Sequence, residues 1–464
     1  MLIKNGTLVT SKGLQKADLY IELGKIREIK KTISNKGVEK TIDATGLYVL
    51  PGMIDSHVHL RDFKEVLKED FFSGTSAALA GGVTSVIDMP NNSLPTISME
   101  ALSAKKYVAS KKALCNYGFH FGATLTNFDE ASKALLDSSI ASLKIYMGSS
   151  TGSLLVDDFS AFYKHLQNFK GKPILLHAED EHAIKHFTSQ HLGEKTKLES
   201  SDNQNQHSEY GQSTSTSKSP TAQIHGKIRN SHVAELAVSR AISSAEKTGA
   251  KIHICHVSTQ KELELIANAR KKIKITCEVS PHHLFLDESY ARKLGNFAKV
   301  NPPLRSKSEI AYLWSALRSG KIDIIATDHA PHLKEEKELP YTEAPSGMPE
   351  LDTALLLFLD AVSKKQLTIM QLVNLYSKAP SRLFGLKNKG EIAVGKDADL
   401  VIVNLKSKTK IKSENLFTKC GWSPYEGITA NGKILKTILS GKIAFDEGSV
   451  LARIGDGKEL KFRT

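Results

Sequence analysis

Pro51-Gly52-Met53-Ile54-Asp55-Ser56-His57-Val58-His59-Leu60-Arg61-Asp62 follows an apolar run from Leu47 to Leu50 and sets two histidines two residues apart. On a strand that spacing points both imidazoles to one face. Two neutral imidazoles on one face can form half of a metal site. Arg61 keeps the same parity, and its planar fork suits a carboxylate. A bare His-x-His also arises by chance, so the reading depends on whether the rest of the chain supplies further ligands.

The 464 residues are too many for one small domain and enough for a barrel with a second unit. A hydrophobic share of 40% is globular rather than disordered. No apolar run approaches the roughly 18 residues of a membrane span. Met1-Leu2-Ile3-Lys4 opens into a strand-like pattern with no signal peptide. Cys115, Cys255, Cys277 and Cys420 are scattered, which fits a reducing cytoplasm without disulfides. The net charge of +13 raises nucleic-acid binding, but the lysines are dispersed, often beside glutamates, and no nucleic-acid motif occurs. A solvated basic surface that also draws anionic substrates is the simpler account.

Outward from the opening stretch, residues 51–389 alternate strand and helix signals. Strand-like runs after Ile54 are Val83 to Asp88, Tyr117 to Thr124, Ser142 to Tyr146, Ile174 to His177, Ile252 to His256, Ile273 to Glu278 and Ile322 to Ala326. Helical segments such as Asp70 to Ala80 and Val233 to Lys247 lie between them. About eight β-α units predict a (β/α)₈ TIM-like barrel, an α/β fold with its active site at the C-terminal strand ends. Residues 1–50 and 390–464 are short strands punctuated by glycines, and together predict one small β domain built from both termini. Thr188 to Arg229, rich in Ser, Gln, Asn, Thr and Lys, reads as a mobile surface insertion of about 188–229, with a lid as the alternative.

At the strand ends stand His57, His59, Lys144, His177, His256 and Asp328. Each has an ordinary structural explanation alone; together at one rim they point to a metal-dependent site. A protonated lysine cannot ligate a metal, so Lys144 fits only if its amine becomes an anion.

His57-Val58-His59-Leu60-Arg61-Asp62, Asp88-Met89-Pro90-Asn91, Leu143-Lys144-Ile145-Tyr146, His177-Ala178-Glu179, His253 to Ser258, Cys277 to Phe285 and Thr327 to His332 resemble, in order, the dihydroorotases of the amidohydrolase superfamily. The likeness covers most of the chain, including Gly395 to Leu400. Phe63-Lys64 departs from the Pro-Gly of many bacterial members and is similar to some archaeal forms. The resemblance implies a barrel with a β-sandwich domain and two zinc ions. His57, His59 and Asp328 would hold one ion, His177 and His256 the other, and a carboxylated Lys144 would bridge them. Asp328 would be the catalytic proton carrier, and His59, Arg61, Asn91, Asn301 and His332 would contact substrate. His282, His283 and His329 read as packing or supporting groups. His120, His165, His186, His207 and His225 read as structural or surface.

The implied reaction is the reversible cyclisation of N-carbamoyl-L-aspartate to L-dihydroorotate in pyrimidine synthesis. Hydantoinase (dihydropyrimidinase) and allantoinase activities share the scaffold, but their rings carry no carboxylate for Arg61. An inactive dihydroorotase-like scaffold subunit is expected to have lost ligands, and all six are present here. The resemblance leaves open a homo-oligomer and an association with aspartate carbamoyltransferase, with neither nucleic acid nor membrane as partner.

Overall fold

The computed structural model describes residues 1–150, 152, 154–192 and 222–463. Its centre is a run of eight parallel strands: β1 Met53–Val58, β2 Val83–Asp88, β3 Asn116–Gly122, β4 Ile140–Tyr146, β5 Ile174–His177, β6 Ile252–Ile254, β7 Ile275–Val279 and β8 Ile324–Ile325. They neighbour one another in chain order. β1 to β6 bury nearly every residue, as parallel strands covered on both faces must. β8 is shorter than the expected Ile322 to Ala326, because the ring closes through the chain beyond it. The His59 amide donates to the His329 carbonyl (2.8 Å), and Asp55 Oδ1 accepts from the Thr327 amide (3.1 Å).

The helices lie where the sequence places them. Phe71–Ala80 starts on Asp70, whose carboxylate accepts from the Ser73 amide at 2.8 Å. Ser231–Thr248 ends on Gly249 in the left-handed conformation. Among the described residues no helix is long and apolar enough to cross a membrane.

The second unit is one nine-stranded sheet made by both ends of the chain. Tyr48–Pro51 joins the halves by pairing with Leu2–Thr10 on one side and antiparallel with Leu400–Lys410 on the other. The sheet curls back on itself. The Ala398 amide donates to the Gly24 carbonyl (2.9 Å), and the Ile26 amide to the Lys396 carbonyl (3.0 Å). Ile3, Leu8, Leu19 and Ile26 thereby share a core with Leu400, Ile402 and Ile438. Gly24 sits at φ 73° with its Cα hydrogen side against Ser440, so a side chain there meets the Ser440 carbonyl.

We propose a division near residues 50 and 390 for the two units. The C-terminal part also serves the barrel. The Leu460 amide donates to the Tyr117 carbonyl (2.7 Å), and Trp422 Nε1 to the His332 carbonyl (2.7 Å). The expected insertion needs correction at its flanks. Glu181–Leu192 and Ala222–Ile228 are helices, and His225 and Arg229 are buried. Polar residues pack there because each finds a polar partner on the barrel. Residues 193–221, with His207, lie outside the described residues.

Candidate metal centre and substrate pocket

Every rim residue singled out in the sequence sits at or just beyond a C-terminal strand end. His57 lies in β1 and His59 one residue past its end; Lys144 lies in β4, His177 ends β5, His256 follows β6 and Asp328 follows β8. Two of them, His256 at φ 35° and Asp328 at φ 54°, and their neighbour Arg61 at φ 55°, occupy backbone that non-glycine residues rarely adopt. Such conformations cost about 1–3 kcal/mol each and cluster where a side chain must be aimed.

His57 Nε2 and His59 Nε2 lie 3.2 and 3.1 Å from Asp328 Oδ1, so three donor atoms converge. Their other ring nitrogens are engaged. His57 Nδ1 meets Glu278 Oε1, and His59 Nδ1 is 2.6 Å from Asn91 Oδ1. If those nitrogens carry the protons, both Nε2 lone pairs face a carboxylate oxygen, an arrangement that calls for a cation between them. Burial and the Lys144 charge push His57 down, but Glu278 and Asp328 outweigh them and raise it to about 10. His59 is lowered to about 4 by burial. Burial alone would raise Asp328, but the charge of His57 and the hydrogen bond of His59 hold it below the usual carboxylate range.

The second pair is built on the same plan. His177 Nδ1 and His256 Nε2 are 3.0 Å apart, and His177 Nε2–H donates to Glu179 Oε2 at 3.0 Å. Glu179 is fixed in turn by the buried Arg229 guanidinium. Burial would raise Glu179, but Arg229 brings it to about 2. Burial keeps both histidines neutral, the state that binds metal. The halves adjoin: the His57 and His256 ring centroids are 5.4 Å apart.

Lys144 is fully buried. Its Nζ is 3.1 Å from Cys255 Sγ, and no carboxylate pairs with it among the described residues. Its charge disfavours protonation of His57, His177 and His256, which places it amid the cluster. A buried, unpaired ammonium is costly. His57, Cys255 and Glu278 form a further close group, in which Glu278 also accepts from His253 Nε2 at 3.0 Å.

One pocket gathers His59, Arg61, Asn91, Asn301 and Asp328, with Ser150, Ala330, Ser346 and Gly347 completing its wall. Gly347 sits at φ 139°, and a Cβ there would lie 2.6 Å from the Ala330 carbonyl oxygen. Arg61 donates from Nε to the Pro331 carbonyl (3.1 Å) and from Nη2 to His332 Nε2 (3.0 Å). His332 is expected among the substrate contacts but stands behind Arg61, fully buried and off the pocket wall. Asn301 Oδ1 accepts from Ser346 Oγ at 3.1 Å and from His225 Nε2 at 2.8 Å. His225, expected to be structural or at the surface, is a buried support of the pocket; burial lowers it to about 3, so it stays neutral.

The sequence reading gave no role to Glu278, Glu179 or Arg229. Glu278 carried a signal, a charge inside the apolar strand β7. Glu179 shares parity with His177.

The sequence profile of the Amidohydrolase family matches residues 48–444, and the chain belongs to that family. Among curated relatives, the dihydroorotase of Methanosphaera stadtmanae is 36% identical over 452 residues, covering 97% of each chain. The dihydroorotase of Methanosarcina mazei is 35% identical over 470 residues, covering 99% of this chain and 97% of its own. Among solved structures, the L-hydantoinase (dihydropyrimidinase) of Arthrobacter aurescens superposes with a TM-score of 0.88 at 27% identity, over 98% of both chains. Members of this family imply a metal cofactor, and the convergent His57, His59 and Asp328 donors fit one.

Proposed function

We propose that the protein is a dihydroorotase, a cyclic amide hydrolase that interconverts N-carbamoyl-L-aspartate and L-dihydroorotate in pyrimidine synthesis. The observation that carries this reading is Arg61, buried beside the His57–His59–Asp328 cluster and lining the same pocket as His59 and Asp328. Its guanidinium suits the ring carboxylate that hydantoins and dihydrouracil lack. The near-full-length relatives named dihydroorotase support the same choice.

In this reading His57, His59 and Asp328 would hold one zinc ion and His177 and His256 the other, and Lys144, once carboxylated, would add an anionic oxygen donor. Two such ions supply Lewis acidity and a water acidified to near neutral pH. The chain's own groups do the rest. Arg61 fixes the ring through its carboxylate, with Asn91 and Asn301 reading polar edges. Asp328, ionised at neutral pH, accepts the proton of the attacking water and delivers it to the leaving ring nitrogen. In synthesis the transfers reverse. Glu278 and Glu179 hold His57 and His177 in the tautomers that leave a lone pair facing inward. His332 holds Arg61. The reading places the enzyme in the cytoplasm, as a homo-oligomer or on aspartate carbamoyltransferase.

Turnover of dihydroorotate, hydantoin and allantoin, measured side by side on zinc-loaded protein, tests it. Dihydroorotate should lead in kcat/KM by orders of magnitude. A preference for hydantoin or allantoin would overturn the assignment.

A further inference from the structure

Lys105 lies mid-way along the helix Met99–Lys112, in a stretch of alternating lysines and small residues that looks solvated. It is instead fully buried. All three of its N–H groups are used. Nζ is 2.6 Å from Asp88 Oδ2 and donates at 2.7 Å to both Asn92 Oδ1 and the Met89 carbonyl. Its charge also lies 5.6 Å from the Phe119 ring centroid. A buried ion pair of this kind is seldom worth more to stability than two apolar residues, so it needs another reason.

Its partners lead to Arg61. Asp88 Oδ1 accepts from the Leu60 amide at 2.7 Å. Asn92 Nδ2 donates to the Arg61 carbonyl. The clamp thus grips the backbone on both sides of the Arg61 Cα. The grip is needed, because Arg61, Asp62 and Phe63 stand at φ 55°, 61° and 53°, three non-glycine residues in a row at positive φ. Lys112, seven positions on and so on the same helix face, holds the next residue: Nζ donates to both Asp62 carboxylate oxygens at 2.9 and 3.0 Å. One helix therefore grips two aspartates that flank the arginine.

We propose that Lys105 is a positioning residue for substrate specificity: through Asp88 and Asn92 it locks the strained turn that aims Arg61 at a ring carboxylate. This rests on Arg61 being the carboxylate reader.

The test compares Arg61→Met, the paired variant Lys105→Met/Asp88→Asn, and all three changes together. Asn at 88 keeps an acceptor for the Leu60 amide and leaves no unpaired charge. The readouts are KM and kcat for dihydroorotate, the inhibition constant of orotate against uracil, bound metal, and melting temperature. The paired variant should raise KM and weaken orotate about 10- to 100-fold, while kcat stays within about threefold and metal content is unchanged. Added to Arg61→Met, it should cost less than about twofold more, because its effect runs through that arginine. A merely structural role would instead lower the melting temperature, add fully to Arg61→Met, and spare the orotate-over-uracil preference; that result overturns the proposal. If Arg61→Met itself leaves KM and orotate binding intact, the carboxylate reading fails and this inference with it. If Arg61→Met weakens both but the paired variant does not, only this inference fails. Should the paired variant not fold, Lys112→Met, at the half-exposed end of the same clamp, should raise KM about three- to tenfold; an unchanged KM would overturn the helix's role.

Discussion

Arg61→Met is the sharpest perturbation of the proposed function. Arg61 is 2% exposed, and two of its N–H groups are committed to the Pro331 carbonyl and His332. The guanidinium is therefore already oriented and desolvated before substrate arrives, so little of its interaction with a carboxylate is lost to ordering. Breaking a charge-assisted contact in such a place costs about 2 to 5 kcal/mol. That is roughly thirty- to several-thousand-fold in kcat/KM. Methionine keeps most of the volume, and neither His57 nor His59 hydrogen-bonds the arginine, so metal binding should persist. The assay is steady-state kcat/KM for dihydroorotate, with metal content by mass spectrometry and dihydrouracil as the uncharged control ring. Dihydroorotate should fall by the stated range while any turnover of dihydrouracil changes little. Equal losses on both rings, with metals bound, would refute the reasoning and return the protein to an unspecified cyclic amidohydrolase.

Lys144→Ala should lose metal and nearly all activity, with partial rescue by short carboxylic acids; native mass spectrometry of the wild type should show one added carbon dioxide, and a bare lysine in metal-loaded protein would count against the bridge. Glu179→Ala, by freeing His177 Nε2, or Arg229→Ala, by loosening Glu179, should weaken metal binding about 10- to 100-fold, read by competition with a chromogenic chelator. Asp352, half-buried where it accepts from the Phe417 and Thr418 amides, is raised by loss of solvent to about 6. The folded state therefore binds its proton more tightly than the unfolded chain does, and stability falls as pH climbs through that value. Asp352→Asn should be more favourable relative to wild type at about pH 8 than at about pH 5 in thermal melts, and the opposite order would contradict the assignment.

The barrel was legible because its strands are apolar runs rich in Val and Ile, interrupted only where chemistry sits. A histidine closing Ile174-Leu175-Leu176, or an aspartate after Ile324-Ile325-Ala326-Thr327, breaks the pattern at the end where function collects. What stayed hidden were pairings across long stretches of chain. Arg229 meets Glu179, and His225 meets Asn301, from a stretch whose composition alone looks like solvated insertion. Lys105 looks no different from Lys106, its neighbour on the same helix, until Asp88 is brought beneath it. The contact of His332 with Arg61 was hidden too, since spacing fixes a residue's place on the chain and not which way its ring turns.

Charge balance joins these pieces. With the histidines neutral, as metal binding requires, and Lys144 as an ammonium, Lys144 and Arg229 stand against Asp328, Glu278 and Glu179, which leaves the cluster with about one net negative charge. Two divalent ions would overshoot it by roughly three, in a site whose burial makes excess charge expensive. Turning the Lys144 amine into a carbamate moves the local balance by about two units and brings the metal-loaded centre to near a single positive charge. That remainder is of the sign to hold an ionised water and an anionic ring, which Arg61 would orient from the pocket wall. The same conversion removes a cation that disfavours positive charge at His57, His177 and His256 alike. Carboxylation and metal binding should therefore be thermodynamically linked: metal raises the occupancy of the carbamate, and carbon dioxide raises the affinity for metal.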